Sequence, residues 1–300
     1  MPFYLLKGDL LKSNVDAIVN DANVNLKMVE GVGRAIFHAC GDVELTNACK
    51  EIGRCEPGNA VITPSFNLKT AKYIIHAVAP IYMNGKHGEE KLLRSAYKKV
   101  FELAKENNVK SIAFPFLGGE YNWDKKDCFD IAVDEITNFL KENNNVDVYM
   151  VMYKNFPIVI TEGLQEKISK FIISNFRCNE EENPVKVTPN FKKYWKDNYS
   201  KTINPEEFVL KANISMDKFN EIINDKSFGP SKVLAISLAL GLGLKHEEFF
   251  KFLAMFSYSL NHSSYFDLII LCFVESGITD IQLINRALFT YSFIPLGEKY

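Results

Sequence analysis

Short apolar runs alternate with segments of helical hydrophobic spacing over the first 175 residues. The runs are rich in Val, Ile, Tyr and Phe, which favours strands, and the segments between them repeat apolar residues at helical intervals. The predicted strands are 3–6, 17–20, 59–63, 73–78, 111–116 and 148–153, and the predicted helices are 32–40, 43–54, 89–107, 125–142 and 161–174. Apolar strands separated by helices are typical of a sheet covered on both faces, so the pattern predicts an α/β fold.

The pattern changes after residue 175. Residues 177–190 are polar and acidic and include Pro184 and Pro189, a composition typical of a linker. Beyond them only helical spacing remains, at 205–213, 215–224, 230–242, 245–257, 263–276 and 279–291. We therefore predict an α/β domain over 1–176, a linker over 177–190 and an all-α helical domain over 191–300.

The composition fits a globular protein and excludes several other classes. Of 300 residues, 47% are hydrophobic and 24% are charged, which favours a packed core over disorder or a coiled coil. The net charge is −2, so the totals reveal no broad basic surface for nucleic acid. The longest apolar stretches, near 233–244 and 268–274, are interrupted or shorter than the ~20 residues that span a bilayer. With no leader-like N-terminus, we expect a cytoplasmic protein with no membrane partner.

The six cysteines stand singly along the sequence. None belongs to a Cys-x-x-Cys pair, and no histidine lies at a metal-ligand spacing from two of them. The spacing predicts reduced thiols packed as small apolar residues and no metal site.

The densest cluster of candidate binding residues follows the second predicted strand. Asn20 and Asn23 end that strand, and Gly31, Val32 and Gly33 open the helix after it. A helix N-terminus exposes unpaired N–H groups that bind phosphate, and glycine lets an anion approach the backbone. Asparagine carboxamides hydrogen-bond sugar hydroxyls. The alternative is a plain strand–turn–helix connection with a capping asparagine.

A second glycine turn follows the strand at 111–116. It contains Gly118, Gly119, Glu120 and Tyr121, with Trp123 close behind. Ligands of open α/β sheets sit at the carboxyl ends of the strands. Two such loops could therefore hold a diphosphate between them, and the aromatic residues could stack on a sugar or base. The alternative is a surface loop with a buried tryptophan.

Several ordered stretches together resemble the macrodomain, a module that binds ADP-ribose. They are residues 7–10, 15–23, 31–36, 58–63, 73–80 and 111–115. The resemblance extends over residues 1–174. It implies a three-layer α/β/α fold with a mixed sheet, ADP-ribose or an ADP-ribosylated substrate as the ligand, and no cofactor.

The resemblance also implies roles for individual residues. Asp9 would accept a hydrogen bond from the adenine amino group, since an ionised carboxylate only accepts. Leu10 would line the adenine pocket and Tyr153 would stack on the base. Asn23 corresponds to the asparagine at the distal ribose and is the candidate catalytic residue, with Asn20 as its partner in the loop.

Further roles fall on the two glycine loops. Backbone N–H groups of Gly31, Val32 and Gly33 would bind one phosphate, and those of Gly118 and Gly119 the other. Tyr121 would lie near the distal ribose, with Glu120 beside it. His76 matches a family position, but a strand histidine is expected to be structural.

The sequence departs from the pattern of members that remove ADP-ribose. Those members show three glycines before the valine and an aspartate after it, whereas this chain has Val29, Glu30 and Gly33 at the first, second and aspartate positions. The usual general base is thus missing. Glu30 adds negative charge near the expected diphosphate. Glu30, His38 and Glu120 are possible replacements, or the substrate's own phosphate could activate the water.

The C-terminal part resembles a helix-turn-helix layout over 211–223, as in repressor-like DNA-binding domains and in the helical tail of some Gram-positive macrodomain proteins. From 190 to 300 there are 12 Lys/Arg and 12 Asp/Glu, and helix 216–224 has a net charge of −1. Phosphate contacts dominate DNA affinity, so nucleic acid is an unfavoured partner. A structural bundle or a surface for a protein partner is favoured. Phe249, Phe250, Phe252, Phe256 and Tyr258 are expected to be core.

Three functions remain open from the sequence. The first, slightly favoured, is hydrolysis of an ADP-ribosyl ester, such as O-acetyl-ADP-ribose or an ADP-ribosylated acidic side chain, by a water that Asn23 or the phosphate positions. The second is an ADP-ribose-reading module without turnover. The third is a nucleotide-sensing regulator with a DNA-binding tail.

Overall fold

Two compact units make up the chain. The structure is a computed structural model that describes residues 3–119, 121–143, 145–153, 160–177, 191–225 and 228–298. The first unit comprises the described residues up to 153, and the second comprises those from 160 onward. The predicted linker lies almost wholly outside the described residues.

A six-stranded mixed sheet forms the centre of the first unit. Its strands are β1 (Phe3–Lys7), β2 (Ala17–Asp21), β3 (Ala60–Pro64), β4 (Tyr73–Ala77), β5 (Ser111–Phe114) and β6 (Asp147–Met152), in the order β1-β6-β5-β2-β4-β3. All neighbouring strands are parallel except β3, which runs antiparallel to β4 at one edge. The carboxyl ends of five strands therefore meet at one edge of the sheet, where ligands of such sheets bind.

Helices cover both faces of this sheet. They are α1 (Val32–Cys40), α2 (Asp42–Ile52), α3 (Glu89–Glu106) and α4 (Lys125–Glu142). Ala113 packs in the cluster that contains Phe37 of α1 and Leu45 of α2. The next residue, Phe114, stacks on Tyr97 of α3. Successive strand residues point to opposite faces, so the α/β/α arrangement with a mixed sheet is confirmed.

The second unit is all-helical. Its helices are α5 (Glu162–Asn175), α6 (Phe191–Asn198), α7 (Pro205–Ala212), α8 (Met216–Asn224), α9 (Lys232–Gly241), α10 (His246–Met255), α11 (Tyr265–Glu275) and α12 (Ile281–Thr290). Phe249, Phe252 and Phe256 are buried in its core and Tyr258 packs against them, as the pattern predicted, while Phe250 is half-exposed.

The position of α5 differs from the sequence-based domain boundary at residue 176. Ile168 of α5 is fully buried in the core of the second unit. Ser169 Oγ and Tyr291 OH hydrogen-bond at 2.8 Å, and Lys167 donates to Ser276 Oγ at 2.8 Å. Helical spacing shows which face of a helix is apolar but not which partner covers it, so the sequence assigned α5 to the wrong side of the boundary.

The hydrophobic pattern did not predict one helix of the second unit, α6. In α6 only Phe191 and Trp195 are buried, one turn apart, and charged residues fill most of the other positions. Two apolar residues are too few for a periodic signal. Trp195 packs on the rings of Phe208 and Phe219, which only the folded unit brings beside it.

The described cysteines are free and buried. Cys40, Cys49, Cys55, Cys128 and Cys272 all form no disulfide. Burial raises the pKa of Cys40 and of Cys49 to about 11, so both stay protonated at neutral pH. Over the described ranges, no helix is both long and apolar enough to cross a bilayer.

Candidate functional site

A cavity of about 580 Å³ opens at the carboxyl edge of the sheet. Pockets for small ligands commonly fall in this size range. Eight of the twelve predicted site residues line it, namely Asp9, Leu10, Gly31, Val32, Gly33, Gly119, Tyr121 and Tyr153. Asn20, Asn23 and Gly118 do not line it, and Glu120 lies outside the described residues.

One end of the cavity is built by β1 and its neighbour β6. The Asp9 carboxylate accepts the backbone N–H of Leu11 at 3.0 Å and thereby caps a single 3-10 turn, Leu10–Lys12. Leu10 is buried, and Tyr153, directly after β6, is 60% exposed. An acid, an apolar wall and an accessible ring thus lie together because β1 and β6 are paired.

The N-terminus of α1 also lines the cavity. Gly31 precedes the helix with φ 75°, a left-handed value that glycine adopts without strain, and no side chain caps the helix. The first N–H groups of an uncapped helix lack intrahelical partners and attract anions. This geometry agrees with the anion-binding role expected for residues 31–33.

Val29 explains why position 33 carries no side chain. A Cβ atom on Gly33 would lie 2.8 Å from Val29 Cγ2, inside van der Waals contact. Two of the departures from the family pattern, Val29 and Gly33, are therefore linked. The Val29 side chain occupies the space where a side chain at 33 would begin. The third departure, Glu30, is 82% exposed at its side chain and pairs with Arg34 at 2.6 Å.

The second glycine loop differs from its expected role at one position. The backbone N–H of Gly118 donates to the Asp21 carboxylate at 3.1 Å, so this N–H is already used within the protein. Gly119 does line the cavity, and a Cβ there would lie 2.4 Å from the Phe116 ring. A residue with a side chain at 119 would therefore require the Phe116 ring to move.

Asn23 stabilises its own loop. Its Oδ1 accepts the N–H groups of Asn25 and Lys27 at 3.0 and 3.2 Å, and its Nδ2 donates to the Lys27 carbonyl at 2.6 Å. Both polar atoms of the candidate catalytic side chain are therefore engaged in the turn after β2. In this arrangement Asn23 positions the loop that leads into α1.

Asn20 and His76 form a buried polar chain beneath the site. Asn20 Nδ2 lies 3.1 Å from His76 Nδ1, and His76 Nε2 lies 3.0 Å from Thr63 Oγ1. Burial lowers the pKa of His76 to about 4, so the ring is neutral and carries its proton on Nε2 if Asn20 donates. The histidine is structural, as expected, and Asn20 is its partner.

Two polar residues that follow the second glycine turn, Asn122 and Asp124, have local structural roles. Asn122 adopts φ 60°, which asparagine tolerates. Asp124 caps α4, since its carboxylate accepts the N–H groups of Lys126 and Asp127. This cap fixes the start of α4, where Lys125 lines the cavity.

Loss of that cap has a measurable consequence. Asp124→Ala is expected to lower the free energy of unfolding by about 1 kcal/mol, because two N–H groups lose their acceptor. Asp124→Asn is the matched control, since asparagine caps equally well. Urea unfolding of both variants measures the difference, and equal losses would show that the cap does not stabilise the unit.

His38 is not part of the cavity. Its ring is exposed on α1 and lies 2.8 Å from the Asp42 carboxylate, so it is not placed to replace a missing base. Within the described ranges, no group of three or more His, Cys, Asp or Glu side chains could hold a metal ion.

The helical unit offers little to DNA. Residues 213–215 connect α7 to α8, and a DNA-reading second helix contacts bases through its first residues. Here Ser215, the N-cap of α8, donates both its N–H and its hydroxyl to the Glu298 carboxylate at 2.7 Å. A carboxylate at this end of α8 would repel the negatively charged DNA backbone. The geometry therefore does not favour the DNA-binding alternative.

Two charged residues of the cavity were not singled out in the sequence. Asp21 ends β2 inside a stretch used only for its resemblance, and Lys125 begins α4. The sequence feature that could have marked Asp21 as functional is a carboxylate at the end of a buried apolar strand. The feature for Lys125 is weaker: a cation in the first turn of a helix is unfavourable to the helix dipole.

Comparison with known proteins identifies the first half of the chain. A family model described as Macro domain matches residues 19–132. A macro domain-containing protein of Caldanaerobacter subterraneus is 39% identical over 170 residues, 55% of this chain and 97% of that protein. An O-acetyl-ADP-ribose deacetylase of Salmonella newport is 40% identical over 155 residues, 50% of this chain and 86% of that protein.

Among solved structures, an Oceanobacillus iheyensis macrodomain with ADP is 32% identical, covers 57% of this chain and 91% of that chain, and has a TM-score of 0.47. No family match names the helical unit. Relatives with close to 40% identity are nonetheless matched over nearly their whole length. The chain belongs to the macrodomain family.

Proposed function

We propose that the first unit binds ADP-ribose or a derivative of it and hydrolyses an ADP-ribosyl ester. The observation that carries the proposal is the cavity, in which an acid, an uncapped helix N-terminus and an accessible tyrosine line one continuous space. An acid suits the adenine amino group, the helix N-terminus suits a phosphate, and the aromatic ring suits the base.

The order of the strands supports an extended ligand. Asp9 follows β1 and Asp21 ends β2, and two strands lie between them in the sheet. Three strand spacings of about 4.8 Å put these two ends roughly 14 Å apart. A nucleotide with its base at Asp9 therefore passes the start of α1 and brings its far sugar toward β2.

The described side chains that line the cavity carry more negative than positive charge. Three carboxylates, those of Asp9, Asp21 and Glu30, and one ammonium group, that of Lys125, are among the described residues that line it. Glu30 is paired outward with Arg34. Lys125 then offsets part of the diphosphate charge, which the remaining acids oppose.

Ester hydrolysis is favoured over reading without turnover by the acidic lining. A cavity that only retained ADP-ribose would gain affinity from neutral walls, whereas a hydrolase needs a group that accepts a proton. The Salmonella relative is named as an O-acetyl-ADP-ribose deacetylase, which makes the acetyl ester the first substrate to test.

Titration calorimetry with free ADP-ribose tests the binding step. We expect Asp9→Asn to weaken affinity by about tenfold or more, because an amide keeps an acceptor for the Leu11 N–H but removes the charged acceptor for adenine. Glu51→Gln, on an exposed helix face away from the cavity, is the matched control. Absence of heat with folded wild-type protein would refute the proposal, and equal affinity in Asp9→Asn would refute the role of Asp9.

A further inference from the structure

We propose that Asp21 is the catalytic carboxylate of this site and accepts the proton of the hydrolytic water. The inference rests on the proposed function, ester hydrolysis in this cavity. It assigns a residue that neither the sequence pattern nor the family resemblance identifies. It also accounts for the missing acid at position 33.

Two other carboxylates, those of Glu30 and Asp9, line the described part of the cavity. Glu30 is largely exposed and holds Arg34 at 2.6 Å. Asp9 caps the turn after β1, at the opposite end of the sheet edge from β2. Gly33 has no side chain, and Val29 fills the adjacent space.

Asp21 lies where the two glycine loops converge. It is the last residue of β2, and the chain leads from there into α1. The neighbouring strand β5 leads into the second loop, and the N–H of Gly118 in that loop donates to Asp21 Oδ2 at 3.1 Å. This hydrogen bond links the end of β2 to the second glycine loop. The strand order puts Asp21 three strand spacings from β1, the strand that Asp9 follows.

Two titratable groups that feel the charge of Asp21, the Cys128 thiol and the Tyr97 hydroxyl, are neutral. Burial raises the pKa of Cys128 to about 12, and the nearby Asp21 charge adds to the effect. Burial likewise raises the pKa of Tyr97 well above its ordinary value, with Cys128 and Asp21 contributing. Both groups keep their protons at neutral pH, so neither competes with Asp21 as a base.

The proposed step hydrolyses an acyl ester of the distal ribose. Asp21 takes one proton from water as the water oxygen bonds to the ester carbonyl carbon. The bond between that carbon and the ribose oxygen then breaks, and the proton on Asp21 passes to the departing oxygen. The products are the free carboxylic acid and ADP-ribose, and Asp21 returns to its ionised form.

The test compares turnover of O-acetyl-ADP-ribose with affinity for ADP-ribose in the full chain. For Asp21→Asn we expect kcat to fall by about 10²–10⁴, the usual contribution of a general base. ADP-ribose affinity should be unchanged or higher, because the amide removes a negative charge near the diphosphate. Glu51→Gln is the matched control and should retain both properties.

A second variant separates catalysis from folding. Asp21→Ala removes the carboxylate, and added formate is expected to restore part of its turnover in a concentration-dependent way. Circular dichroism and ADP-ribose affinity report whether either variant is folded.

Each alternative outcome is informative. Full turnover in Asp21→Asn, or loss of both turnover and ADP-ribose binding with no rescue by formate, would overturn the assignment. Wild-type protein that binds ADP-ribose but hydrolyses no ester would overturn it while leaving the binding proposal intact. Failure of the wild-type protein to bind ADP-ribose would refute the proposed function itself.

Discussion

Lowering the pH from 7 to 5 is expected to remove about 2 kcal/mol of unfolding free energy through His76 alone. Burial lowers the pKa of His76 from 6.5 to about 4 in the folded protein. Below pH 6.5 the unfolded chain therefore binds a proton that the folded protein does not. The stabilisation is complete above pH 6.5 and is lost as the pH falls toward 4.

Urea unfolding at a series of pH values measures this effect. In His76→Gln the unfolding free energy should vary much less between pH 7 and 5, whatever its absolute value. An unchanged slope in His76→Gln would show that the ring does not titrate in this window.

Adding a methyl group at position 33 is expected to destabilise the first unit by about 2 kcal/mol, because the site is already packed. The new Cβ in Gly33→Ala would lie 2.8 Å from Val29 Cγ2. Either the valine or the start of α1 must move. The Cβ of an aspartate at 33 would meet the same obstacle.

A double-mutant cycle isolates this steric coupling. Val29→Gly and Gly33→Ala are measured singly and together by urea unfolding, and we expect a favourable interaction of about 1 kcal/mol or more in the double variant. Gly163→Ala is the control, since a Cβ at Gly163 meets nothing within 4 Å. Strictly additive effects would show that Val29 does not exclude a side chain at 33.

The fold was predictable because its elements have strong local signals. All six strands were expected within a few residues of their positions, and the spacing 32–40 coincides with α1 (Val32–Cys40). Period-two and helical patterns arise from burial of one face, which a single sequence records directly. The assignment of α5 failed because the apolar face of a helix does not name its partner.

The candidate site was predictable only in part, for a related reason. Asp9 and the residues from 31 to 33 could be placed because they follow strands in a recognisable order. Asn23 and Gly118 were expected to contact the ligand, but the structure uses the Asn23 carboxamide and the Gly118 N–H for internal hydrogen bonds. A sequence states which donors exist but not which are already occupied.

The sequence by itself determined the macrodomain fold, the helical second half and the edge of the sheet where a ligand belongs, because these follow from periodicity and from ordered motifs. Only the tertiary structure decided that Val29 excludes a side chain at Gly33 and that Asp21 meets Gly118 between the loops. The physical reason is distance along the chain. Asp21 and Gly118 come from separate strands whose pairing, and not their spacing in sequence, brings them within 3.1 Å.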